Sequence, residues 1–77
     1  MTAPLDDVTK RILEIVLEQR SVSDDVIAPQ VKSGWTADDV CRLTVRLRKQ
    51  GLLEETAYAS DRWTITEEGR SALAAAA

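Results

Sequence analysis

The chain reads as a small, mostly helical α+β protein: a three-helix core, a short β-hairpin, and a C-terminal helix. Apolar residues recur at helical spacing from Leu5 to Val16, and again from Val40 to Leu47. Between Leu52 and Ile65 two β-favouring stretches flank the turn-prone residues Tyr58-Ala59-Ser60-Asp61. The 77 residues make one domain over 1–77, with no room for a second. A chain this short buries only about 60% of its unfolded surface, so its core must be efficient.

The first helix is expected over residues 5–20, with Leu5, Val8, Ile12, Ile15 and Val16 on its apolar side. Asp6 and Asp7 lie in or just before its first turn, where negative charge suits the helix dipole. Leu13 and Leu17 widen the stripe beyond one packing face, which calls for a further neighbouring element or a seam to a second subunit. Arg20-Ser21-Val22-Ser23 reads as a short break or a minimal strand.

Ser23 is placed to cap a second helix starting at Asp24-Asp25, with Ile27, Ala28 and Val31 inward. Pro29 removes one intrahelical bond, so this helix should be short and imperfect. Lys32-Ser33-Gly34 ends it, with Gly34 free to adopt a left-handed conformation.

Thr36-x-x-Asp39 imitates a capping box for a third helix running to about Gln50, with Gly51 as its stop. On a wheel of about 100° per residue, Leu43, Thr44 and Leu47 lie within about 60° of Val40. Asp38, Asp39, Arg42, Val45, Arg46 and Lys49 fall on the far side, with Cys41 and Arg48 on the flank. Strands are then expected over Leu52–Ala57 and Arg62–Ile65. Thr66 caps a last helix with an acidic first turn, expected to fray from Ala74 to Ala77.

Composition narrows the function. Cys41 is the one cysteine and histidine is absent, which excludes an internal disulfide, a Cys/His zinc cluster and His-based triads. No recognisable carboxylate pair remains to do catalysis, so neither an enzyme nor a metal or cofactor site is expected. The start of the chain lacks the pattern of a signal peptide, and Glu14, Glu18 and Arg20 interrupt the apolar runs. A cytoplasmic location without membrane contact is expected, where Cys41 would stay a reduced, silent and partly buried thiol.

The stretch from Ile27 to Leu53 carries the functional reading. Two apolar-patterned segments flank a tight connection, and the second is longer and more basic, as in a helix-turn-helix whose second helix is presented to DNA. Net charge is −3, but it is unevenly spread. Lys32, Arg42, Arg46, Arg48 and Lys49 outweigh Asp38 and Asp39 for a local balance of +3. The remainder holds five basic and eleven acidic residues, or −6. A positive patch on a negative body lets a small acidic protein face phosphate.

The order of elements, with three sequence pieces, resembles winged helix-turn-helix transcriptional regulators of the MarR and PadR kind. The pieces are Ile27-Ala28 through Trp35-Thr36, Leu43-x-x-x-Leu47-x-x-x-Gly51-Leu52-Leu53, and Trp63-Thr64-Ile65-Thr66-Glu67-Glu68-Gly69-Arg70. They span most of the chain. The resemblance implies that the third helix enters the major groove, with Cys41 and Arg42 at positions near DNA. Two departures stand out: the chain lacks the long dimerisation helices of MarR-like proteins, and its hairpin loop has only Arg62 as a basic residue, beside Asp61.

Arg42 and Arg46, one turn apart, are the candidates for base contact, and Val45 could touch a thymine methyl. Lys32, Arg48, Lys49 and Arg62 suit phosphates. The expected partner is double-stranded DNA bound by a homodimer, with no small-molecule ligand evident. Against this stands a solvated face held by pairs such as Asp38 with Arg42 and Asp39 with Arg42 or Arg46. Asp38 and Asp39 are read as serving the helix start, and Trp35 and Trp63 as core pieces rather than stacking platforms. The rival function is protein–protein contact, as an adaptor or inhibitor, motivated by the acidic remainder and the weakly basic hairpin loop.

Overall fold

Asp6 starts the first helix: its carboxylate accepts the Thr9 backbone N–H at 2.7 Å, filling one of the free donors at a helix N-terminus. The computed structural model describes residues 5–56 and 62–76. Its elements are α1 (Asp7–Gln19), β1 (Val22–Ser23), α2 (Asp24–Val31), α3 (Ala37–Lys49), β2 (Leu53–Glu55), β3 (Arg62–Ile65) and α4 (Glu67–Ala76). The architecture is α+β, with four helices and one antiparallel three-stranded sheet among the described residues. The predicted turn at Tyr58–Asp61, along with Ala57 and Ala77, lies outside them.

The width of the α1 stripe has a structural cause. This helix touches α2, α4 and β3 at once, and Ile12, Leu13, Ile15 and Val16 are all buried. Leu13 therefore belongs to the core, while Leu17 stays 40% exposed. The helix ends abruptly. Arg20 takes φ 70° and ψ −56°, and the Ser21 N–H donates to the Gln19 carbonyl at 2.8 Å. That is the strained γ-turn, rare for a residue with a side chain.

The break after it does form a strand. Val22 pairs with Trp63 and Ser23 with Arg62, which places β3 at the centre of the order β1-β3-β2. Ser23 occupies the N-cap position of α2 without a side-chain capping bond; its hydroxyl donates to Asp25 instead. With Pro29 inside it, α2 runs for only eight residues, because proline offers no N–H to the preceding turn.

In α3 the Asp39 carboxylate accepts the Thr36 backbone N–H at 2.8 Å, so the acidic residue serves its own helix start as expected. At the other end Gly51 has φ 80°. Its N–H reaches the Arg48 carbonyl at 3.0 Å, while that of Leu52 reaches Leu47 at 2.9 Å. This pair of bonds is the Schellman stop, which a left-handed glycine permits.

The hairpin pairs Leu53 with Ile65, Glu54 with Thr64 and Glu55 with Trp63. Over the described residues β2 spans Leu53–Glu55, shorter than the expected 52–57, of which Ala57 lies outside them, and the Thr56 N–H donates to the Arg62 carbonyl at 3.1 Å. Thr66 then joins two tasks. Its Oγ1 accepts the Gly69 N–H at 2.9 Å to cap α4 and donates to the Gly51 carbonyl at 2.6 Å. Gly69 sits so close to the preceding loop that a Cβ would lie 2.3 Å from the Leu52 oxygen. The helix α4 continues past Leu73 to Ala76, in keeping with alanine as the strongest helix former, and Ala77 of the expected frayed tail lies outside the described residues.

Candidate nucleic-acid interface

The sequence of α3 sorts its side chains by height on the wheel, and the fold follows that sorting. Val40, Thr44 and Leu47 are buried against α2 and β2, with Leu43 half-buried. Arg42, Arg46 and Lys49 are exposed on the opposite side. Their spacing of four and three residues makes one stripe along the helix.

Among the described residues, the one ion pair joins Arg48 Nη1 to Glu55 Oε1 at 2.9 Å. The pairs that would have made this face an inert one, Asp38 with Arg42 and Asp39 with Arg42 or Arg46, do not form. Asp39 is instead engaged by Thr36. No carboxylate among the described residues engages the guanidinium groups of Arg42 and Arg46.

Arg46 feels a weaker influence. The Thr9 backbone and side chain hold the Asp6 carboxyl below its ordinary value, and the positive charge of Arg46 adds to that effect. Asp6 and Arg46 therefore share a neighbourhood without an ion pair. The carboxylate tempers the positive field there, but makes no ion pair with the arginine.

The remaining candidates are dispersed. Lys32 is exposed at the C-cap of α2, just before the turn that leads into α3. Arg62 is exposed at the start of β3, in register with Ser23, so it belongs to the hairpin side rather than to the α3 stripe. Val45 is half-buried, which reduces the area it can offer to a thymine methyl. Arg48 is half-exposed and already shared with Glu55. The structure thus brings Arg42, Arg46 and Lys49 together and sets Lys32 and Arg62 apart.

Cys41 corrects an expectation. It is exposed, not partly buried, because the packing of α3 against α2 and β2 leaves its flank of the wheel in solvent. Trp35 is half-buried against the core and Trp63 is 5% exposed, so both serve packing.

Sequence reasoning missed two residues that shape this face: Glu55, which engages Arg48, and Asp24. The Asp24 Oδ1 accepts from Thr44 Oγ1 at 2.8 Å and from Trp63 Nε1 at 2.9 Å. Neither contact leaves a periodic trace, since the partners lie 20 and 39 positions away.

A second concavity lies away from the stripe, where α1, β3 and α4 meet. It is a shallow, half-open hollow of about 460 Å³ lined by Val16, Leu17, Arg20, Thr64, Ile65 and Arg70. No helix among the described residues is long and apolar enough to cross a membrane. Comparison with protein-family models, curated proteins and solved structures found no match to this chain.

Proposed function

We propose that the chain is a winged helix-turn-helix domain resembling the MarR and PadR regulators, acting in the cytoplasm as a DNA-binding transcriptional regulator. In this reading α3 is the recognition helix and lies in the major groove, and the β2–β3 hairpin is the wing. Arg42 and Arg46 contact bases, with a small contribution from Val45. Lys49, Lys32 and Arg62 hold phosphates, joined by Arg48 once it leaves Glu55.

One observation carries the reading: Arg42, Arg46 and Lys49 form an outward stripe to which no carboxylate among the described residues is bound, on a protein whose net charge is −3. Among the described residues neither arginine makes a hydrogen bond or ion pair to the rest of the fold. Their donors match the acceptors of guanine and of phosphate.

A homodimer on a two-fold site would double the phosphate contacts of so small a domain. With Leu13 taken into the core, Leu17 and the outer alanines of α4 remain for the seam.

The test is binding to random duplexes at controlled salt, followed by light scattering of the complex. Binding should weaken steeply with salt, by about 0.9 in log–log slope for each phosphate neutralised. Arg46→Ala should lower affinity and relax sequence preference. An unchanged affinity in that variant, with a flat salt slope, would remove the assignment.

The second reading, a winged helix used for protein–protein contact, draws support from the Arg48–Glu55 pair and from Asp6 beside Arg46. Both lower the positive potential of the face. Absence of any binding to duplex at low salt and micromolar protein would favour it.

A further inference from the structure

Asp24 is the first residue of α2, yet its carboxylate is hydrogen-bonded to other elements. Its Oδ1 accepts the hydroxyl of Thr44, on the inner face of α3, and the indole N–H of Trp63, in the central strand β3. Thr44 is 0% exposed and Trp63 5%. One oxygen atom therefore ties the back of the basic helix to the hairpin through a third element.

Apolar packing holds elements together without fixing their angle closely, whereas hydrogen bonds are directional. Thr44 has other acceptors, the Cys41 carbonyl at 3.1 Å and the Val40 carbonyl at 3.4 Å. Both belong to its own helix. A hydroxyl turned to them would hold nothing between α3 and the rest. Among the described residues Trp63 shows no second acceptor for its indole N–H, so loss of Asp24 would leave that buried donor without a described partner.

We infer that Asp24 is a positioning residue that locks the α3 stripe and the β2–β3 hairpin into one rigid surface, so that both reach a duplex in a fixed relation. Its effect on DNA rests on the regulator reading above, whereas the lock itself does not. Thr44 and Trp63 act through Asp24 and touch no nucleic acid.

The test uses Thr44→Val, Trp63→Phe, Asp24→Asn and Asp24→Ala in the full chain. The first readout is the NMR resonance of the Trp63 indole N–H. Thr44→Val should move it when Asp24 is present, because the shared oxygen then serves one donor. The same substitution should not move it in the Asp24→Ala background. Asparagine keeps an acceptor oxygen, so Asp24→Asn should preserve the coupling.

The second readout is duplex affinity under conditions where each variant is folded. Asp24→Ala should weaken binding roughly tenfold, with Asp24→Asn staying close to the parent. Thr44→Val should add little further loss once Asp24 is alanine. If Asp24→Ala does not fold, Thr44→Val and Trp63→Phe carry the comparison, with non-additive losses expected.

An indole resonance indifferent to Thr44→Val in the parent chain would overturn the lock. Unchanged affinity and salt slope in Asp24→Ala would overturn its role in binding while leaving the regulator reading standing. A parent chain that binds no duplex would overturn the regulator reading and with it Asp24's part in binding, and the NMR comparison would still decide the lock.

Discussion

Arg48 of α3 and Glu55 of β2 meet across the helix–hairpin junction, with Nη1 and Oε1 2.9 Å apart and both side chains partly exposed, at 47% and 36%. A pair in this position contributes little to stability, between about 0 and 1 kcal/mol. It matters more as competition, because a guanidinium held by a carboxylate must leave it to reach phosphate.

Glu55→Gln should therefore raise duplex affinity several-fold and steepen the salt slope by about 0.9, as one more cation becomes free. Melting temperature should hardly change. Fluorescence anisotropy at two salt concentrations checks both numbers, and a weaker complex would contradict the competition.

Gly69→Ala should destabilise the fold by roughly 2–3 kcal/mol. Helix propensity alone predicts the opposite, a gain of about 1 kcal/mol. Packing decides the sign here. The added Cβ would lie 2.3 Å from the Leu52 carbonyl oxygen and 2.7 Å from Ile65 Cγ1, forcing α4 off the hairpin. Urea denaturation distinguishes the two signs directly.

Arg20→Gly should stabilise. Arg20 sits at φ 70°, in a turn whose strain costs of order 1–3 kcal/mol. Glycine relieves that strain at an entropic cost of about 0.5–1 kcal/mol. A net gain of about 1 kcal/mol should lift the melting midpoint by roughly 4–8 °C in a domain of this size. A lowered midpoint would show that the arginine side chain stabilises the turn in another way.

Asp6 links stability to acid. Its folded carboxyl is held low by Thr9, aided by Arg46. The stabilisation is present above the ordinary carboxyl value and is lost as pH falls through the lowered folded one. Asp6→Asn keeps a capping oxygen, so it should flatten that acid limb while changing neutral stability little. Asp6→Ala should cost about 1 kcal/mol at neutral pH. Removing the carboxylate near Arg46 should also tighten duplex binding in both variants. Denaturation midpoints between pH 2 and 6, with anisotropy at pH 7, check the set.

Much of the fold was legible from local patterns. The third helix was expected from Thr36 to about Gln50, and it spans Ala37–Lys49 between its N-cap Thr36 and its C-cap Gln50. Its buried Val40, Thr44 and Leu47 and its exposed Arg42, Arg46 and Lys49 followed the wheel, because an amphipathic helix turns its apolar stripe to the core. Val45, on the far side of the wheel, is instead half-buried. The start of α4 at Thr66 was legible for a similar reason, since capping chemistry is encoded within a few residues. Less was legible where a helix meets several neighbours. Leu13 is surplus to a single packing face of α1, and only the packing of α2, α4 and β3 around that helix accounts for its burial. Cys41 lay on the flank, where exposure depends on what packs alongside.

Local chemistry along the chain was enough to determine the number and order of the helices, the hairpin, the glycine stop at Gly51 and the outward placing of Arg42 and Arg46. Those features rest on residue spacing and on bonds within one turn. Only the tertiary structure decided which cations are engaged, through Arg48 with Glu55. It alone revealed that Gly69 is needed for closeness, and that Asp24 joins Thr44 to Trp63. Such contacts bring together residues distant along the chain, and a pattern read over one or two turns holds no record of them.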